Sequence, residues 1–226
     1  MTSLTFLAPR MRRALPAALA LLLGACAGHP PAPDWQMNAK GSMERFVVAY
    51  FEGDMRVEGA EFAKARAETA RTGRVELVAR VELLRCASRV ASLVVEPCAG
   101  FETLRQDAPA AERAYADYLA AQLRPQDIGL LPEAQRGAAS AAANAATLQA
   151  IADPLSRLVA AGVLFQAGRA SPAMIAVAAD TASAQGWQRP LLAWLMVQAR
   201  LAEQAGDTAE AARLHRRIDL VQGRPG

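Results

Sequence analysis

From residue 35 onward, apolar positions recur three and four residues apart, the spacing of one face of an α-helix, and strand-like alternation is rare. Ser42 is placed to cap a helix running through Glu44–Phe51, which Gly53 and Asp54 stop. A second helix, about Arg56–Arg71, keeps Phe62 and small alanines on one side. Glu61, Lys64, Glu68 and Arg71 fall on another, at the spacing of a solvated face. The third, about Arg74–Ser92, carries Leu77, Val78, Val81, Leu84 and Val90 at helical spacing. Here Glu76 with Arg80 and Glu82 with Arg85 read as surface pairs. Glu96-Pro97 breaks that pattern, and Cys98-Ala99-Gly100 turns the chain.

Asp107-Ala108-Pro109 opens the next helix, with Tyr115, Tyr118 and Leu119 as its apolar side. Residues 124–137 hold two prolines and two glycines and mark a candidate internal boundary. Ala138–Ile151 is nearly all small residues. Since alanine is the best helix former, the stretch reads as one closely packed helix, with a mobile connector as the alternative. Asp153-Pro154 and Ser171-Pro172 each set a capping side chain before a proline at the first helical position. Pro190 opens a helix containing Leu191, Leu192, Trp194, Leu195 and Val197, and Asp207 with Glu210 reads as a capping box for the last one. The expected fold class is all-α, built from antiparallel helical hairpins.

Gln166-Ala167-Gly168 recurs as Gln204-Ala205-Gly206, and Ala184-Gln185-Gly186 as Val221-Gln222-Gly223, a period near 38 residues. Ala161, Gly168 and Ala173 in one unit, and Ala199, Gly206 and Ala211 in the next, fall where paired helices would cross. This spacing of small residues resembles tetratricopeptide repeats over residues 154–226. The resemblance departs from the pattern at Val177 and His215, where the family carries a large aromatic, and the period is longer. It implies a stacked α-solenoid, while an irregular helical bundle accounts for the same residues.

Ahead of the helices the pattern changes. Arg10, Arg12 and Arg13 precede an apolar run, Ala14–Leu23, which is the order of charge and hydrophobicity in an export signal. The run is shorter than the roughly 20 residues a membrane-spanning helix needs. It ends in Leu23-Gly24-Ala25-Cys26, which resembles the lipobox of bacterial lipoproteins. That resemblance implies a signal peptide over 1–25, lipid on Cys26 as the first residue of the mature chain, and attachment to a membrane. Ala27 after the cysteine implies sorting to the outer membrane, facing the periplasm. The alternative is an ordinary signal cut near Ala25, with Cys26 a spare thiol. Residues 26–35 then form the anchor and a proline-rich tether containing His29, and 36–226 the helical domain.

The 226 residues carry 25 basic and 22 acidic side chains, but the leader holds three arginines and no acid, so the remainder is balanced. That argues against nucleic acid as a partner. A hydrophobic share of 53% supports a buried core. In an oxidising compartment Cys86 and Cys98 read as a disulfide, the alternative being two buried thiols.

Catalytic patterns are not apparent. The only histidines are His29 and His215, and His215 lies among Arg213, Arg216 and Arg217, the setting of a surface residue rather than a base. No cysteine or histidine cluster has metal-ligand spacing, and no cofactor motif is present. Glu44, Glu58 and Glu61 read as charged helix faces. The sequence therefore points to a non-enzymatic envelope lipoprotein whose helices bind or scaffold another envelope protein. Trp187, Trp194 and His215 are its partner-binding candidates, and Trp35 is a further exposed-aromatic candidate; core packing is the alternative for the tryptophans and the preferred reading for Trp194, which lies inside the apolar run Leu191–Val197. A cell-wall glycan hydrolase using paired carboxylates and a small-ligand carrier are the alternatives.

Overall fold

The computed structural model describes residues 32–224 together with the isolated Thr2; Cys26, His29 and the lipobox lie outside the described residues. Among the described residues there are eleven α-helices and one 3-10 helix, and no strand. The all-α class expected from the periodicity is the class that forms. The helices are α1 (Asp34–Glu52), α2 (Met55–Ala70), α3 (Val75–Ala91), α4 (Ala99–Glu102) and α5 (Ala110–Leu119). The 3-10 helix Pro125–Leu130 follows, then α6 (Glu133–Ala139), α7 (Ala145–Gln149), α8 (Pro154–Gln166), α9 (Pro172–Gln185), α10 (Gln188–Gln204) and α11 (Thr208–Val221). From Asp34 onward the chain forms one compact unit, and the stretch 124–137, read as an internal boundary, runs inside it.

Helix α3 sits at the centre, packed against α1, α2, α4, α5 and α8. Its Ala79, Val81, Leu83, Ala87 and Ala91 are buried on more than one side, which a surface helix with a single apolar stripe would not allow. Gly162 of α8 makes the closest approach to it. A Cβ there would overlap the carbonyl oxygen of Val90, so only glycine lets these two backbones cross.

The C-terminal helices pack in succession, α8 on α9, α9 on α10 and α10 on α11. Gly168 and Gly206 turn the first and third of these junctions at φ of 67° and 73°. In a linear solenoid each unit touches only its neighbours. Here α3 meets α8 and α1 meets α10 across long stretches of chain, so the hairpins close back into an irregular bundle. Of the small residues read as crossing points, Ala161, Ala199 and Ala211 are buried, whereas Ala173 is exposed.

Several expectations are corrected. α1 begins at Asp34, eight residues before Ser42, so Asp34 and Trp35 belong to the helix rather than to the tether. Ser42 is buried within α1, where its hydroxyl accepts from Arg45 Nη2 at 3.0 Å. The run 138–151 is two short helices rather than one. Asn144 accepts a bond from the Thr147 backbone N–H and its own N–H bonds the Thr147 hydroxyl, so a capping box restarts the helix inside an alanine-rich stretch. α10 starts at Gln188, two residues ahead of Pro190. Asp207 caps α11 as expected, but Glu210 pairs with Arg213 instead of returning a bond to the cap.

The charged residues are redistributed most. Glu58 is 1% exposed and accepts two bonds from Arg85, at 2.7 and 3.2 Å. Glu82 pairs with Arg66 at 2.7 Å and Glu112 with Arg80 at 2.8 Å. The pairs expected along α3, Glu76 with Arg80 and Glu82 with Arg85, are thus replaced by pairs between helices, apart from Glu76 with neighbouring Arg74 at 2.6 Å. Because α3 is surrounded, its charged side chains meet other helices before they meet water.

Candidate functional site

The residues of α10 range from a buried stripe through half-buried flanks to exposed positions. Leu191, Trp194, Leu195, Ala199 and Ala202 are buried, at the three-and-four spacing of a core-facing stripe. Trp194 is fully buried and donates from Nε1 to the Ala91 carbonyl at 3.1 Å, so this partner-binding candidate belongs to the core. The rest of the helix surface carries exposed Met196, Arg200 and Leu201, flanked by half-buried Leu192, Ala193 and Val197. Two surface clefts of about 440 and 420 Å³ run along that face and share Met196.

The first cleft is bounded by Glu52 and Gly53 at the end of α1, by Ser92 and by Arg189 and Leu192. The second is bounded by Phe165 of α8 and by Val197, Arg200 and Leu201. Met196 is 59% exposed, Leu201 38% and Phe165 37%. Isolated exposed apolar side chains are ordinary on protein surfaces. Two of them within Leu192–Leu201, a stretch about 14 Å long at 1.5 Å per residue, stand beside Phe165, which is the pattern of an interaction surface.

Charges frame the strip. Arg189 Nε donates to the Tyr50 carbonyl at 2.7 Å, satisfying an acceptor in the last turn of α1, and its guanidinium lies 4.6 Å from the Tyr50 ring centre. Arg89 approaches the same ring at 5.1 Å. Burial raises the Tyr50 phenol above its usual pKa, and the two arginines partly oppose that shift. Glu52 and Arg200 are both exposed, and neither forms an ion pair among the described residues.

The other expected site residues lie elsewhere. Trp187 is half-buried, with its ring 4.6 Å from that of Phe51, and so fastens the start of α10 to α1. His215 on α11 is exposed, with Nε2 2.8 Å from Glu203 Oε1 on α10. Cys86 and Cys98 are bonded to one another, with Cα atoms 5.8 Å apart, so the bridge ties the end of α3 to the start of α4. Trp35 is half-buried on α1.

The carboxylates considered for hydrolysis are each held by basic side chains. Glu44 pairs with Lys40 on the surface, and Glu58 is enclosed by Arg85 and Arg89. Glu61 is held between Lys64 at 2.6 Å and Arg45 at 2.8 Å, contacts that lower its pKa to about 2. A carboxylate so held stays ionised and has no proton to give as a general acid. Among the described residues no three His, Cys, Asp or Glu side chains cluster as a metal site, and no helix is long and apolar enough to cross a membrane.

Met196 was not singled out in the sequence because Leu191–Val197 is apolar at every position. Such a run does not say which side meets the core. The available signal was Arg200 with Gln204, polar residues in register with Met196 and so pointing to an outward row.

The class that fold and surface define is an all-α protein with exposed apolar side chains along one helix. Comparison with protein families, curated proteins and solved structures finds no match that would narrow this further.

Proposed function

We propose that this chain is a non-enzymatic binding module of the bacterial envelope, tethered through lipid on Cys26, and that it docks another protein on the outer face of α10. The observation that carries the docking reading is the exposed apolar group Met196, Leu201 and Phe165, with half-buried Leu192 at its edge, on the side of α10 away from its buried stripe. Tight packing beneath gives such a strip a fixed shape, which reduces the ordering cost of binding. The tether reading rests on the leader and Leu23-Gly24-Ala25-Cys26 in the sequence.

Photoreactive side chains placed in the full chain at positions 192, 196 and 201 test the docking face in living cells, with position 184 on α9 as an off-face control. Adducts to one protein from the strip alone are expected. Equal capture from position 184, or none from the strip, would remove the docking reading. Radiolabelled palmitate tests the anchor separately: label should enter the wild-type chain and be absent from Cys26→Ala.

A small-ligand reading has its own observation, a surface cleft of about 470 Å³ walled by Leu83, Leu84, Tyr115, Leu131 and Pro132. That volume is within the range of small-molecule sites. Saturable binding of an apolar dye, lost on filling the cleft with Ala111→Trp, would favour it.

A further inference from the structure

We infer that the partner seated on the α10 face is a second copy of this chain, related by a two-fold axis passing close to Met196. The inference rests on the docking reading above and names its occupant.

One end of the strip carries Arg200, and the other carries Glu52 together with Arg189. Arg200 lies four residues after Met196, about 6 Å along the helix at 1.5 Å per residue. Leu192 lies four residues before it, and Glu52 borders the cleft on that side. A two-fold at Met196 sets two α10 helices antiparallel, so the Arg200 end of one copy meets the Leu192 end of the other. Each exposed Arg200 then faces the partner subunit's Glu52, and the contact is made twice. Neither group has an ion-pair partner within its own chain among the described residues. Arg189, the other cation of the strip, is committed to the Tyr50 carbonyl and ring, which leaves the Glu52 carboxylate available.

The apolar residues satisfy the same operation. An isologous interface needs a patch complementary to itself. The most exposed apolar residue of the strip, Met196 at 59%, sits at the centre, where it packs against its own counterpart. Its unbranched thioether side chain adapts to that contact. Phe165 and Leu201 lie on the flanks. A parallel arrangement would set Arg200 beside Arg200, a like-charge contact that disfavours it.

The test uses the full chain in its native membrane. Met196→Cys places a thiol near the axis, and mild oxidation should convert much of this variant into a covalent dimer. Leu201→Cys, displaced from the axis, should crosslink far less. On the Met196→Cys background, Glu52→Arg or Arg200→Glu alone should each lower the crosslinked fraction about tenfold, equivalent to about 1.4 kcal/mol. The two reversals together should restore it. Steady-state level and protease resistance of each variant confirm that all are folded. Absence of a Met196→Cys dimer, or a double reversal no better than either single one, overturns the two-fold contact. If a photoreactive group at 192 then still captures a different protein, only this inference falls. If it captures nothing, the docking reading falls with it.

Discussion

Trp194 Nε1 donates a hydrogen bond of 3.1 Å to the carbonyl oxygen of Ala91, 103 residues earlier in the chain. This bond pins the outermost long hairpin to the C-terminal end of the central helix. It also explains why the tryptophan faces inward: a buried indole N–H needs an acceptor, and the end of α3 offers one that its own helix leaves free.

Trp194→Phe should therefore destabilise the fold by about 1–3 kcal/mol, since it keeps most of the ring volume and strands the Ala91 carbonyl. Trp194→Ala should cost about 3–5 kcal/mol by adding a cavity. Urea denaturation followed by circular dichroism reads both. A smaller loss for alanine than for phenylalanine would contradict this account.

Gly162→Ala is expected to destabilise although it lies in a helix, where alanine is ordinarily better by about 1 kcal/mol. The new methyl group would overlap the backbone oxygen of Val90, which cannot swing aside as a side chain would. Overpacking of this kind costs about 1–3 kcal/mol, and thermal melting of the variant measures it. Gly59→Ala, where nothing lies within 4 Å of the added atom, is the control that should be stabilising.

Glu58, at 1% exposure, pairs with Arg85 at 2.7 Å and with Arg89 at 3.6 Å. Glu58→Ala should lower stability by about 3–5 kcal/mol, because it leaves Arg85 without a counter-charge beside Arg89, which keeps only Glu96. Replacing both ends, Glu58→Leu with Arg85→Met, should recover most of the loss. A double-mutant cycle in chemical denaturation would expose the coupling.

Glu61 gives the fold a defined acid sensitivity. Its carboxyl pKa is lowered to about 2, first by the bond from Lys64 and then by that from Arg45. Since the unfolded value is about 4.3, the folded state binds fewer protons than the unfolded state between those values. Its stabilising effect is complete above about pH 4.3 and is lost as pH falls towards about 2. Glu61→Gln should be less stable than wild type at pH 7 and should lose less stability across that acid window. Denaturation midpoints measured from pH 7 to 2 would show the two curves converging.

The Cys86–Cys98 bridge closes a loop of sequence separation 12. Constraining the unfolded chain over that length is worth about 3 kcal/mol, so Cys86→Ala with Cys98→Ala should lower the melting temperature. Adding reductant should shift the wild type by a similar amount and leave the double variant unmoved.

Local chemistry made much of this protein legible in advance. Asp153 and Ser171 cap α8 and α9 where expected, accepting from Ser156 and Met174, because a cap is settled within four residues. The glycine turns at 168 and 206 and the pairing of Cys86 with Cys98 follow from equally short relationships. The alanine-rich run failed as a helix because Asn144, a residue that competes for backbone bonds, restarts the helix where bulk composition suggests continuity.

The sequence by itself determined the all-α class, most helix starts and stops and the bridge, since each depends on residues within about a turn or a short loop of one another. Only the tertiary structure decided that α3 is the centre, that Glu58 and Glu82 turn to arginines on other helices, and that Met196 faces out while Trp194 faces in. Those outcomes depend on which helices meet. Leu191–Val197 is apolar all the way round, so that stretch alone holds no record of the side its neighbours will cover, and only Arg200 and Gln204 beyond it point outward.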